Sequence, residues 1–177
     1  MKSSLLVTYV ISVLGSLGAG AAISGTWEYD KHEDKMTGGI TEFARLRSDN
    51  SLDLRFPYSG QNYGALTIRK KRGETNVILS VRKGQIPCHS FSDGCKVTVR
   101  FDKQPPQRFN AVGPSDSSTE TIFIENEPKF ITSARKARTI LVQFTMFQAG
   151  EQILEFTSAS PLEWGGKMAP PTAAKKK

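Results

Sequence analysis

The sequence predicts an all-β domain, an antiparallel β-sandwich with one short helix, behind an N-terminal export segment. Three observations support this prediction. Between Trp27 and Trp164, apolar residues recur mostly at every second position, as they do in strands that bury one face. The runs are short and are separated by Gly, Pro, Asn and Asp, which favour turns. Residues 5–23 contain no charged side chain.

The N-terminal segment has the layout of a secretory signal. Lys2 supplies a positive start, residues 5–23 are apolar and then small, and Ala19 and Ala21 are spaced like a cleavage site. About twenty apolar residues can also cross a bilayer, so a retained anchor is the first alternative and a buried core helix the second. We predict export, with residues 1–21 as a signal peptide or an N-terminal membrane anchor, and hence a periplasmic or extracytoplasmic location.

One folded domain is expected after this segment. Residues 22–164 fall within the size range of a single domain, and no linker divides them. The Gly-, Pro-, Ala- and Lys-rich residues 165–177 are predicted to form a disordered Lys-rich tail. Without the lysine of residues 1–21 and the four of the tail, the net charge of +7 falls to +2. This near balance argues against nucleic acid, which requires a concentrated basic face.

The two-residue alternation defines ten candidate strands. The pattern is clearest in 64–70, 76–83 and 95–102. We expect these three strands to be antiparallel neighbours with one solvent-exposed face and one buried face. The candidates are Thr26–Tyr29, Thr41–Ser48, Ser51–Pro57, Gly64–Lys70, Asn76–Lys83, Cys95–Asp102, Gln107–Val112, Thr121–Glu125, Thr139–Phe147 and Gln152–Thr157.

One segment departs from the strand rhythm. Phe130, Ala134 and Ala137 are spaced i, i+4 and i+7, which is the period of a helix with one apolar face. Proline is tolerated in the first turn of a helix. The spacing therefore predicts a single helix over Pro128–Arg138 that crosses a sheet edge or covers one end of the sandwich.

The two cysteines, Cys88 and Cys95, enclose six residues. In an oxidising compartment, an even and closely spaced pair predicts a disulfide. A metal site made from this pair with His89 and His32 is the alternative, but paired C-x-x-C spacing is missing. We therefore expect no metal at these positions.

The sequence contains no signature of catalysis that we can identify. A G-x-S-x-G nucleophile motif is absent, and His32 lies in a polar stretch among acidic neighbours. Acidic pairs such as Glu33 with Asp34 have nothing to set their separation or to raise one pKa. Gly-rich phosphate loops are also missing. The prediction is a protein that is not an enzyme and that uses no cofactor.

The first candidate binding surface is the turn between Tyr58 and Tyr63. Exposed tyrosines beside Gln61 and Asn62 suit contact with a protein or a sugar, whereas a packed hairpin is the alternative. The other aromatic candidates, Phe56 and Phe147 among them, are expected mostly in the core.

The second candidate surface is the basic cluster Arg69, Lys70, Lys71 and Arg72 at the tip of a predicted hairpin. It can protect a sheet edge from aggregation or contact an anionic partner such as lipid heads, lipopolysaccharide or an acidic protein. Arg82 and Lys83 would lie at the opposite end of that hairpin. Lysines of the tail would add weak attraction to an anionic membrane surface.

A set of short motifs is spread along residues 26–164. The motifs are Trp-x-Tyr at 27–29, Phe-Pro-Tyr-Ser-Gly at 56–60, Leu-Thr-Ile-Arg at 66–69, Lys-Gly-Gln at 83–85, Val-Arg-Phe-Asp at 99–102, Ile-Phe-Ile at 122–124, Lys-Phe-Ile at 129–131 and Leu-Glu-Trp at 162–164. With these motifs the chain resembles a family of small exported β proteins of bacterial and prophage genomes. The arrangement is more distantly similar to periplasmic accessory proteins of type VI secretion of the TagO/VasI kind. The resemblance implies an exported, non-enzymatic sandwich domain and places no active site.

The function predicted from these observations is that of a non-catalytic, exported envelope protein that binds a protein or another envelope component. Two alternatives stay open. One is an inhibitor of an envelope enzyme such as lysozyme, or a phage or prophage exclusion factor. The other is an accessory role in type VI secretion. The sequence leaves the oligomeric state undetermined.

Overall fold

The chain folds into one antiparallel sheet, because apolar and polar side chains alternate along its strands. A short helix lies at one end of the sheet. The computed structural model describes residues 25–88 and 95–165. The sheet has nine strands in the order β1-β2-β3-β4-β7-β6-β5-β8-β9, and every neighbouring pair is antiparallel. The elements are β1 Glu28–Glu33, β2 Ile40–Ser51, β3 Tyr63–Lys71, β4 Glu74–Val81, β5 Cys95–Phe101, β6 Gln107–Val112, β7 Thr121–Ile124, α1 Glu127–Ala134, β8 Thr139–Met146 and β9 Gly150–Thr157.

The all-β antiparallel prediction is confirmed, and the inner face follows the predicted alternation. In β3 Leu66 and Ile68 are buried, while the residues that alternate with them along the strand are half-buried or exposed. The strands form one continuous sheet that curls over its own core. The Asn50 amide nitrogen, next to the end of β2, donates to the Ile153 carbonyl of β9 at 2.9 Å. A Cβ atom at Gly64 of β3 would collide with Leu154, so β9 also packs closely on β3.

The predicted strand Ser51–Pro57 is absent, and the first strand covers Glu28–Glu33 instead of the predicted Thr26–Tyr29. Ser51 belongs to the end of β2, after a register shift that begins at Arg47, and residues 52–57 form part of a loop. This loop covers one end of the core and buries every second residue, Leu52 and Leu54. Its sequence therefore has the same alternation as a strand. The predicted neighbour of β4 is also wrong, since β7 and β6 lie between β4 and β5. The alternation of apolar and polar residues indicates which face of a strand is buried. Which strand lies next to it in the sheet depends on contacts between residues distant in sequence.

The helix α1 is shorter than predicted. The backbone N–H of Arg135 still donates to the Ile131 carbonyl, and the chain then turns, with the Ala137 N–H donating to the Ala134 carbonyl. Ala137 is nevertheless buried, because the turn also faces the core. The Phe130 ring meets the rings of Phe101 and Phe109 edge to face, at centroid distances of 5.3 and 5.7 Å. Helix α1 therefore closes one end of the core.

The strand directions place the connections between strands at two opposite ends of the domain, named here the helix end and the loop end. The helix end holds the turns 34–39, 72–73 and 102–106, helix α1 and residues 158–165, whereas the loop end holds the connections 52–62, 82–88, 113–120 and 147–149. A parallel bridge joins Gly25 to Ser158, so the first and last described residues both lie at the helix end. Strands of eight or nine residues, at about 3.3 Å per residue, separate the ends by about 25–30 Å.

The predictions for the two terminal segments, residues 1–21 and the greater part of 165–177, lie outside the described residues. Within the part of the chain that the structure describes, no helix has the length and apolar content needed to cross a bilayer.

Candidate functional site

Three connections of the loop end are tied together by hydrogen bonds. The Gln85 side chain donates to the Tyr58 hydroxyl at 3.2 Å, and the backbone N–H of Phe147 donates to the Gln85 carbonyl at 2.8 Å. The Lys83 ammonium donates to the Ser59 carbonyl at 2.7 Å. Gln85 therefore links the loop 52–62 to the β8–β9 turn, and the loop end has a fixed shape.

Close packing beneath these bonds adds to that rigidity. Gly84 has a φ of +99°, and a Cβ atom there would collide with the Met146 methyl group. Glycine is the residue that adopts this φ without steric cost, and its lack of a side chain permits the close approach. Segment 82–88 can therefore lie directly on the end of β8.

Asn62 has a different role from the predicted one. It is fully buried, its amide nitrogen donates to the Lys83 carbonyl at 2.9 Å, and its amide oxygen accepts from the N–H groups of Arg82 and Lys83 at 3.0 Å each. The backbone N–H of Asn62 donates to the Ser51 hydroxyl. The predicted contact of Asn62 with a partner is therefore wrong, because the side chain is used in joining loop 52–62 to segment 82–88.

Two aromatic rings stand exposed on this framework. Phe56 is 90% exposed and Phe147 is 52% exposed, and both line a shallow cleft with half-buried Tyr58 and with Arg55. The expectation that Phe56 and Phe147 lie in the core is wrong. Their exposure depends on which connections meet at the loop end, and no local sequence pattern specifies that. Phe56, Tyr58 and Phe147 are named here the aromatic loop surface.

The two predicted binding tyrosines have different environments. Tyr58 lies in the cleft of the aromatic loop surface, while Tyr63 begins β3 and is covered by the Arg47 guanidinium, 3.7 Å from its ring centroid. Such cation–π stacking stabilises a half-buried ring on the outer face of a sheet. Gln61 is exposed between them. Tyr63 is therefore not among the residues that line the cleft with Tyr58.

The basic cluster 69–72 lies at the helix end, far from Tyr58. Arg69 donates twice to the Asn76 side chain, at 2.7 and 3.2 Å, and its guanidinium lies 5.6 Å from the Phe123 ring centroid. Lys70, Lys71 and Arg72 are exposed near or in the β3–β4 turn. The predicted binding residues therefore divide between two opposite ends of the domain.

The predicted disulfide is present between Cys88 and Cys95, whose Cα atoms are 4.9 Å apart. It is compatible with an oxidising, exported location. His89 lies outside the described residues, and His32 is exposed on β1 opposite Thr41. Across residues 25–88 and 95–165, no three His, Cys, Asp or Glu side chains are grouped so that they could hold a metal ion.

Comparison with known proteins identifies no relative of this chain. No family model, curated protein or solved structure matches the chain. The resemblance to small exported β proteins and to secretion accessory proteins stays a prediction. The function is therefore argued from the aromatic loop surface and from the charged groups around it.

Proposed function

We propose that this protein is exported and acts without catalysis, by binding a partner protein through the aromatic loop surface. The observation behind this proposal is the exposure of Phe56 and Phe147 beside each other on a hydrogen-bonded framework. Aromatic residues and arginine are enriched in the centres of protein interfaces. Isolated exposed apolar residues are common, but two neighbouring phenylalanines beside Tyr58 and Arg55 have the composition of a binding surface.

The energetics also favour a binding role. Full burial of an exposed phenylalanine side chain contributes about 1.5–3 kcal/mol. Phe56 is 90% exposed and Phe147 is 52% exposed, so the two rings would contribute about 2–4 kcal/mol when a partner covers them. The bonds of Gln85 and Asn62 already fix the connections beneath the rings. Less conformational entropy is then lost on binding, which leaves more of this contribution as affinity.

The charges around the rings define the partner's chemistry. Arg55 lines the cleft with the rings, Arg82 and Lys83 lie in the adjoining segment 82–88, and Asp53 is the acidic residue of connections 52–62 and 82–88. Basic groups around an apolar centre complement a partner with an apolar pocket and an acidic rim. We therefore propose an acidic protein of the cell envelope as the partner.

The test is site-specific photo-crosslinking in intact cells. A photoreactive residue at position 56 or 147 is expected to give one shared crosslinked protein, and the same residue at exposed Met36, at the helix end, is expected not to. Phe56→Ala combined with Phe147→Ala should then reduce recovery of that protein at least tenfold. Both side chains are largely exposed, so the variant should keep its folding stability. Equal recovery by the double variant would refute the proposal.

Export is supported by the disulfide, since disulfides persist mainly in oxidising compartments, and by the uncharged residues 5–23. Cell fractionation tests this part separately. The protein should appear in the envelope or periplasmic fraction with Cys88 and Cys95 oxidised. Intact, reduced protein in the cytosol would contradict export.

One observation favours an inhibitor of an envelope enzyme as a second candidate function. Phe56 is almost completely exposed in a connection that hydrogen bonds hold in place, as expected for a residue that enters a partner's cleft. Purified protein added to a lysozyme assay on cell walls would then slow lysis, and Phe56→Ala would remove the effect. Unchanged lysis rates would eliminate this candidate.

A further inference from the structure

We propose that the helix end of the domain contacts an anionic membrane surface, so that the aromatic loop surface points away from the bilayer. This proposal concerns the end opposite to the proposed partner site and does not depend on it. Three features of the helix end support it: a combined basic surface, an exposed apolar hairpin tip and the position of the first and last described residues.

The basic surface is assembled from segments that are distant in sequence. Lys70 of β3 and Arg135 after α1 line one groove between the β2–β4 strands and the helix. Lys71 and Arg72 continue this surface along the β3–β4 turn, and exposed Lys136 continues it beyond α1. Cationic side chains on one end of a domain are attracted to anionic lipid heads.

Acidic groups are present at this end, and one of them is already paired. Glu42, which lines the same groove, accepts from the Lys31 ammonium at 2.7 Å. Glu127 also lines the groove, and Glu74 lies at the start of β4. In the stretch from Lys70 to Glu74, three basic residues face one acidic residue, so the β3–β4 turn itself is positive.

An apolar tip projects beside this basic turn. The β1–β2 hairpin exposes 93% of Met36 and 59% of Ile40, and the next residue of β2, Thr41, lies directly opposite Lys71. The Asp34 side chain accepts from the Met36 N–H at 2.9 Å, so the turn that presents the methionine is ordered. The turn itself carries two acidic residues, Glu33 and Asp34, beside Lys35, so the positive charge near Met36 comes mainly from the adjacent β3–β4 turn. An exposed apolar residue next to such a basic turn suits the boundary between lipid heads and acyl chains.

The first and last described residues, Gly25 and Gly165, both lie on this side. Gly25 pairs with Ser158, and Gly165 lines the groove close to Arg135. The uncharged residues 5–23 end two positions before Gly25, and two residues span about 7 Å at most. The six residues of β1 then carry the chain about 20 Å from the Gly25 side to the Met36 turn. A membrane-inserted segment would therefore hold this part of the domain near the bilayer.

A bilayer explains these features better than an acidic protein does. The charges spread over a turn, the residues after a helix and a groove, whereas the apolar contribution is a single projecting tip. That arrangement matches an extended surface of repeated anionic heads. A protein partner would instead be expected to meet a compact apolar centre, such as the one at the loop end.

The test places one environment-sensitive dye on the full-length protein in lipid vesicles. The described residues contain no free cysteine, so Met36→Cys or Ser115→Cys supplies a single labelling site, at the helix end or at the loop end. One vesicle type contains phosphatidylcholine alone, and the other also contains phosphatidylglycerol. The N-terminal segment is the same in both, so a difference between the two reports the contact of the folded domain.

We expect the dye at position 36 to shift to the blue and to be quenched by a lipid-borne quencher in anionic vesicles, at least twofold more than in neutral ones. The dye at position 115 should respond in neither. Lys71→Glu with Arg72→Glu should abolish the response at position 36, while an unchanged urea midpoint shows that the fold is intact. Equal responses at positions 36 and 115, or equal responses in both vesicle types, would overturn the proposal. So would a response at position 36 that requires added envelope protein.

Discussion

Replacement of Asn62 by alanine tests whether one buried amide holds the loop end together. The side chain donates to the Lys83 carbonyl and accepts from the N–H groups of Arg82 and Lys83. Asn62→Ala would leave these three backbone groups without their partner. Asn62 itself is fully buried, so its removal creates a polar-lined space inside the domain.

The expected cost follows from those three groups. A buried polar group left without a partner costs about 1–3 kcal/mol. Arg82 is exposed and Lys83 is half-buried, so water can reach part of this backbone, and we expect a total loss of about 2–4 kcal/mol in the free energy of unfolding. With a urea m-value of about 2 kcal/mol/M, the unfolding midpoint should fall by about 1–2 M.

Urea denaturation followed by circular dichroism measures this change. Gln61→Ala is the matched control, because Gln61 is the exposed neighbour and its replacement should alter stability by no more than about 0.5 kcal/mol. Hydrogen exchange of the Arg82 and Lys83 amides should accelerate in Asn62→Ala, since both lose their acceptor. A loss below about 1 kcal/mol with unchanged exchange would refute the structural role of Asn62.

Three further predictions concern the rest of the domain. Phe130→Ala should lower the free energy of unfolding by about 3–5 kcal/mol, because a buried ring is lost from the core. Thr132 is exposed, so Thr132→Ala should lower the free energy of unfolding by less than about 1 kcal/mol. Similar urea midpoints for the two variants would contradict closure of the core by α1. Cys88→Ser with Cys95→Ser should cost about 2–3 kcal/mol by the chain-entropy model, and a urea midpoint equal to that of the oxidised protein would exclude a stabilising role. Burial raises the pKa of the Tyr29 phenol above its ordinary value of 10.0, an effect that the N–H bond from residue 163 partly opposes. The native state therefore holds this proton more tightly than the unfolded chain, and stability should fall as the pH rises from 10 through the folded-state pKa. In urea titrations, Tyr29→Phe should lose less stability over that window than the original protein, and an equal loss would contradict this assignment.

Local regularities explain why much of the fold was predictable. The alternation in β6 gives the predicted bounds, 107–112, and it identifies Phe109 and Ala111 as inward-facing. The hairpin from β3 to β4 follows from two alternating runs joined by Arg72 and Gly73, which both adopt a positive φ in the turn. Such features depend on residues near one another in sequence, so a single sequence contains the information.

The candidate site was less predictable, because it is built from contacts between distant segments. The sequence indicated the region of Tyr58 but could not distinguish buried Asn62 from exposed Gln61, since both are polar residues of one connection. Phe56 and Phe147 were expected inside because large aromatic residues commonly fill cores. Which rings stay outside depends on how the loops meet after the sheet has curled.

The β class, the short helix, the cysteine pair and the buried face of each strand can be predicted from the order of residues, because side-chain period and residue chemistry are local properties. Contacts between distant segments place β7 and β6 between β4 and β5, Phe56 beside Phe147, and Lys70 in one groove with Arg135. These contacts depend on the simultaneous packing of the whole inner face, and the alternation of any one strand is compatible with several neighbours. Burial of apolar area favours one shared core, whereas the pattern of a strand specifies only which of its faces is buried there.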